Sequence, residues 1–212
     1  MNIDNAQSDI ILFNLKEISS GTLPQVYKSY KDELEKFSSW VTDFLAKSNI
    51  ELGRTGAVCP YVQYSREKSF FKVGIFDQIN PKKDFIVNLI RNLKEVFLSM
   101  VVANEKDEKF KAITILFPNL EEDEVFDIID GVQLLLKPEF VKEGLMIGQF
   151  HEKCEQGGLR NSHFRPLQSP VPLIAIRNMV ETDWPFLEGD PVLEAAYNNN
   201  FGKINFGAQK NY

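Results

Sequence analysis

His151 and His163 are the only histidines in the chain, and Cys154 lies between them. Arg160, Arg165 and Arg177 occupy the same segment, Met146 to Val180, which reads MIGQFHEKCEQGGLRNSHFRPLQSPVPLIAIRNMV. A neutral imidazole is a ready nitrogen ligand for iron or zinc. A guanidinium pairs with carboxylate or phosphate through two parallel N–H groups. A window holding both residue types suits a site for a metal or an anionic ligand. His151 directly follows the apolar run MIGQF, so a strand end would set its direction. His163 sits between Ser162 and Phe164 in a polar loop and has no comparable support.

Each of these residues also has an ordinary structural reading. A histidine at a strand end can be a hydrogen-bonded core residue, and each arginine can pair with one of the 30 acidic side chains. His151-x2-Cys154 offers two possible zinc ligands and His163 a third, but structural zinc takes four, in paired short spacings. Cys59 and Cys154 lie far apart and form no CxxC pair, and neither context marks an activated thiol. A cysteine- or metal-dependent hydrolase is therefore a third expectation. Gly56 and the Gly157-Gly158 pair suit tight loops, but neither belongs to a P-loop or a dinucleotide fingerprint.

Composition narrows the classes further. The 212 residues carry a formal net charge of -6, against the basic face that phosphate contacts require, so no nucleic-acid partner is expected. Hydrophobic residues make up 43% of the chain, and charged residues 25%, as in a globular protein. Seventeen phenylalanines imply an aromatic-rich core or a pocket for a flat ligand. The N-terminus MNIDNAQSD is not a signal peptide, and the longest apolar runs fall short of a membrane span. The expectation is a cytoplasmic protein with reduced thiols.

The elements that must position these residues follow from periodicity. Apolar residues at Val26, Tyr30, Leu34, Phe37 and Val41 describe one helical face between Pro24 and Ser48. A second face comprises Phe85, Leu89, Leu93, Val96, Phe97 and Met100, within Lys82–Val102. Glu121–Leu136 is expected as a third helix with acids in its first turn, and Pro191–Phe201 as a fourth. Ser69–Phe76, Ala112–Phe117, Gly144–Phe150 and Val171–Ile176 read as strands. Ile10–Leu15 reads as a short strand or helical turn, and the Pro60 segment as a loop or irregular edge. The order implies an α/β or α+β single-domain sandwich: a central mixed sheet with flanking helices, the last two strands antiparallel. Residues 1–8 are expected as a flexible tail and 9–212 as one globular domain.

GRTGAVCPYV (Gly53–Val62) and GQFHEKCEQGGLRNSHFRPLQSPVPLIAIRNMVETDWPFL (Gly148–Leu187) together resemble a bacterial domain family of unknown function. The marks are a CPF/CPY turn, FRPL-x-SPVP and an AIR-x-MV-x-x-D-x-x-FL ending. More distantly, the chain looks like the guanitoxin-type haem-dependent N-oxygenases (the YqcI/YcgG family). Gly148-Gln149-Phe150-His151 matches that family's histidine segment, Arg160–Arg165 its arginine-rich stretch and Ser169–Ile176 its proline-led strand. The chain departs from it in the CPY turn, a longer loop and the AIRNM ending. This resemblance implies haem as cofactor, with His151 as axial ligand, Cys59 in the turn lining the pocket and Arg54, Arg165 and Arg177 holding anionic groups. It further implies a monooxygenase acting on an amine or amino-acid-derived small molecule, with an electron donor as partner. The alternative is a haem-free protein that binds a small ligand or a protein partner.

Overall fold

Ile113, Ile115, Ile174 and Ile176 face the same way from neighbouring strands, and each is 1% exposed or less. Their alternation builds the middle of a five-stranded sheet comprising β1 (Phe13–Asn14), β2 (Phe71–Ile75), β3 (Ala112–Leu116), β4 (Leu145–Phe150) and β5 (Leu173–Asn178). The computed structural model describes residues 10–202, so the tail expected at residues 1–8 and the polar stretch 203–212 lie outside the described residues. Strand order is β1-β2-β3-β5-β4. Only β2 and β3 run parallel; the other pairs, including β4 with β5, are antiparallel. A parallel pair needs a crossover, and here it carries a long helix. The chain is a single α+β domain whose mixed sheet is flanked by helices.

Six α-helices are described: α1 (Lys16–Ser20), α2 (Lys31–Trp40), α3 (Val62–Glu67), α4 (Lys83–Ser99), α5 (Gly131–Lys142) and α6 (Pro191–Phe201). Three of these, α2, α5 and α3, differ from expectation. The segment after Pro24 is not one helix: a 3-10 turn (Gln25–Tyr30) leads into α2, which continues as a π turn (Val41–Leu45). Tyr27 accounts for the tight start, because its buried hydroxyl accepts from Ile11 N and donates to Ile75 O, tying the turn to the sheet. The helix expected from Glu121 begins later, with a π turn at Phe126–Asp130. Glu121 to Asp123 stay outside it, and Pro138 is accommodated within α5. The short α3 lies where the sequence indicated only a loop.

One layer packs α4 and α5 against the isoleucine face. The buried stripe of α4 is Ile86, Ile90, Leu93 and Phe97, not the one centred on Phe85 and Val96; Val96 is 43% exposed. Both stripes have helical spacing, and contact with α5 selects between them. Lys94, buried on α4, clamps the pair through Glu139 (2.9 Å) and Glu143 (2.6 Å) of α5. The opposite sheet face meets α2, with Leu34 and Phe37 fully buried. Among the described residues, no helix is long and apolar enough to cross a membrane.

Candidate functional site

The second face of the sheet is hollow, and register explains why. Thr114 of β3 lies opposite Ala175 of β5, which lies opposite Gly148 of β4. Three small residues thus form a row across three strands, where the other face carries isoleucines. The rows on either side are larger: Ala112, Arg177 and Met146 at one end, and Leu116, Leu173 and Phe150 at the other. The space above the row is a cavity of ≈ 240 Å³. Its size lies near the lower end for small-molecule sites, roughly 300–1,000 Å³.

Aromatic side chains wall the cavity. Phe37 and Trp40 come from α2, Tyr61 from the turn that starts α3, and Phe150 from the end of β4. Phe150 leans over Gly148, where an added Cβ would meet its ring at 2.9 Å, and it meets Trp40 edge-on with centroids 5.8 Å apart. Glycine is required there so that the ring can lie along the strand. Two wall residues, Trp40 and Ser65, carry buried polar atoms (Nε1 and Oγ) without a hydrogen-bond partner. Buried polar groups are nearly always satisfied, so such orphans cluster where something is missing or where strain is held.

Cys59 and Arg177 line this cavity. Cys59 is fixed by its N–H donating to Leu45 O at 2.8 Å, while Ser48 and Ala57 form a bridge just beyond. Arg177 is two residues along β5 from Ala175. Its guanidinium donates to both oxygens of Asp183 at 2.7 Å and to Asn178 O at 2.9 Å. Burial alone would lower its pKa, but the Asp183 carboxylate outweighs this and holds it above the ordinary value. Its Nε–H and one Nη2–H have no acceptor among the described residues.

His151 lies elsewhere. Its ring is 1% exposed, with Nε2 3.0 Å from Asp130 Oδ1 and its face or edge against Phe126 at 5.4 Å and 81°. Asp130 and Phe126 belong to the π turn that opens α5, a feature often found at functional sites. Nε2 is spent on the Asp130 carboxylate, while Nδ1 is buried and has no hydrogen-bond partner among the described residues. The ring is not among the cavity walls. The residues therefore do not fit a haem that occupies this cavity with His151 as its axial ligand.

The remaining candidates hold loops together. Arg54, exposed, donates to Thr55 O (3.0 Å) and Val58 O (3.2 Å), and Arg165 donates to Ser162 O and Phe164 O. Neither lines the cavity. His163 is exposed, and Cys154 is buried, with burial pushing its thiol upward. Among the described residues, no group of three or more His, Cys, Asp or Glu could hold a metal ion. The two motif segments do meet: Asn161 Nδ2 donates to Glu51 O at 2.9 Å, and the Arg160 side chain packs over Gly53.

Trp40, Ser65, Thr114 and Ala175 were not singled out by sequence. A signal was there: Thr114 and Ala175 each stand as one small residue between two isoleucines, in ITI and IAI. No curated protein and no solved structure matches the chain. Residues 34–211 match the family described as Domain of unknown function (DUF6875), and the chain belongs to that family.

Proposed function

We propose that the protein binds a small, flat, largely apolar molecule in the cavity over Thr114, Ala175 and Gly148. The row of small residues under an aromatic wall is the observation that carries this reading. Cores pack at high density, and a dry gap loses the contacts its lining could make. Leaving three adjacent strands unfilled on one face is explained by an occupant that restores those contacts. Thr114 Oγ1 and the Tyr61 hydroxyl have no hydrogen-bond partner among the described residues and supply orientation within an apolar enclosure.

Haem-dependent oxidation of an amine or amino-acid-derived substrate, with an electron donor as partner, is the second reading. It rests on the similarity to the guanitoxin-type N-oxygenases and on one atom, the unpartnered Nδ1 of His151. Either reading places the protein in the cytoplasm, with neither nucleic acid nor membrane as partner.

Parallel titrations of the full chain with 1-naphthoate and with haemin distinguish them. The small-ligand reading expects saturable 1:1 naphthoate binding that Ala175→Leu abolishes and His151→Ala leaves intact. The haem reading expects a Soret band that His151→Ala shifts or removes. No naphthoate binding, or equal binding by Ala175→Leu, would overturn the first reading.

A further inference from the structure

The cavity has two unlike ends. Around the Leu116, Leu173 and Phe150 row the walls are apolar and aromatic, with Trp40 and Leu45 closing over them. Around the Ala112, Arg177 and Met146 row the walls carry Lys109 and Arg177, and they continue past the β4 edge to Lys137 of α5. Lys137 belongs to this end because its ammonium donates to Phe186 O at 2.9 Å, in the same 3-10 turn (Glu181–Phe186) that supplies Asp183 to Arg177. Lys111 also lines the cavity, but its ammonium is spent on Glu108 and Met100 O.

No aspartate or glutamate is among the cavity walls, in a chain with 30 acidic and 24 basic residues. Arg177 is neutralised by Asp183 yet keeps two N–H groups unspent. Among the described residues, Lys109 and Lys137 have no carboxylate within ion-pair distance, and the Lys109 ammonium lies 5.3 Å from the Phe110 ring centre. The carboxylates that reach this end, Asp183 and Glu108, are spent on Arg177 and Lys111, so the ammonium groups of Lys109 and Lys137 are left without an ion-pair partner among the described residues. A potential of this sign concentrates anions and disfavours cations.

We propose, building on the small-ligand reading above, that the ligand is an amphipathic anion: a flat apolar body with a carboxylate or similar group. The body lies on Thr114, Ala175 and Gly148 beneath Trp40. The anionic group faces Arg177, Lys109 and Lys137, where it accepts the unspent N–H groups of the arginine. An aromatic carboxylate and a haem with its propionates share this chemistry.

The test compares 1-naphthoate with its uncharged isostere 1-naphthamide by calorimetry on the full chain at neutral pH and low salt. The anion is expected to bind about tenfold more tightly, with the advantage shrinking as salt is raised. Changing both lysines, Lys109→Gln with Lys137→Gln, is expected to bring the two ligands to within about twofold. Both lysines are solvent-accessible enough that the double variant folds, which its unchanged Tm verifies. Equal binding, or tighter binding of the amide, overturns the anion assignment and leaves the small-ligand reading standing. Absence of binding by either compound overturns both. Haemin added as competitor separates the sources: displacement of naphthoate with a Soret change supports haem, and an unchanged naphthoate affinity supports a colourless carboxylate.

Discussion

Thr114 and Ala175 stand directly opposite each other on β3 and β5, and their small side chains create the floor of the cavity. The same two strands turn Ile113, Ile115, Ile174 and Ile176 to the other face, where they are buried in the cluster shared with α4 and α5. One sheet therefore has a load-carrying side and a receiving side, set by alternate residues.

Asp183→Asn leaves the Arg177 guanidinium without its bidentate partner and weakens the Val180 N–H contact, now 2.9 Å from Oδ2. Asp183 is almost wholly buried, whereas Arg177 keeps a third of its side chain exposed. The expected loss is about 2–3 kcal/mol, below that of a fully enclosed pair, read from urea unfolding. A loss under about 0.5 kcal/mol would mean that solvent already screens the pair.

His151→Ala removes a buried ring, its bond to Asp130 and its contact with Phe126. Stability is expected to fall by about 2–4 kcal/mol, with naphthoate affinity unchanged, because the ring is not a cavity wall. A variant that keeps its Tm and loses ligand binding would reverse these roles.

Glu139 connects stability to acid pH. Burial alone would raise its carboxyl, but Lys94 and Arg91 overcome this and hold it below the ordinary 4.5. The native state then binds fewer protons than the unfolded chain. The stabilisation is present above the unfolded value and is lost as pH falls through the lower native one. With its side chain nearly a third exposed, Glu139→Gln is expected to cost only about 1 kcal/mol at pH 7. That deficit should close toward pH 3 in urea melts; a deficit independent of pH would contradict the linkage.

Lys137 should give ligand binding an alkaline limb. Burial lowers its pKa from 10.5, and the pull of Asp190 only partly offsets this. Its ammonium form, which attracts an anion, is full below that lowered value and is lost as pH rises through it. Naphthoate stays ionised throughout, so its affinity should decline before pH reaches 10.5, and Lys137→Gln should flatten the decline. An identical pH profile in the variant would remove Lys137 from the ligand's field.

Much of the fold was legible because period and length are local properties. Ala112–Leu116 and Pro191–Phe201 lie where their patterns placed them, and the late strands are antiparallel as expected. The stripe choice in α4 was not legible, since Ile86 and Phe85 both have valid spacing and only α5 decides between them. The start of α5 was misplaced because acids at Glu121 to Asp123 imitate a helix N-terminus, while the chain spends them in a preceding turn. Cys59 and Arg177 line the cavity, although the sequence singled them out for a haem pocket and not for this hollow. Thr114 and Ala175 were not singled out, because a hollow is made by missing volume across strands that are about 60 residues apart, and that absence shows only once register is known.

The most direct measurement follows the two indole N–H signals in a 1H–15N spectrum while 1-naphthoate is added, with Trp184→Phe assigning them. Trp40 lines the cavity and its Nε1 has no partner, whereas Trp184 is not a cavity wall. The prediction is a saturable shift of the Trp40 signal with little change at Trp184, absent in Ala175→Leu. A Trp40 signal that does not move, or that moves equally in Ala175→Leu, would contradict a ligand site on this face of the sheet.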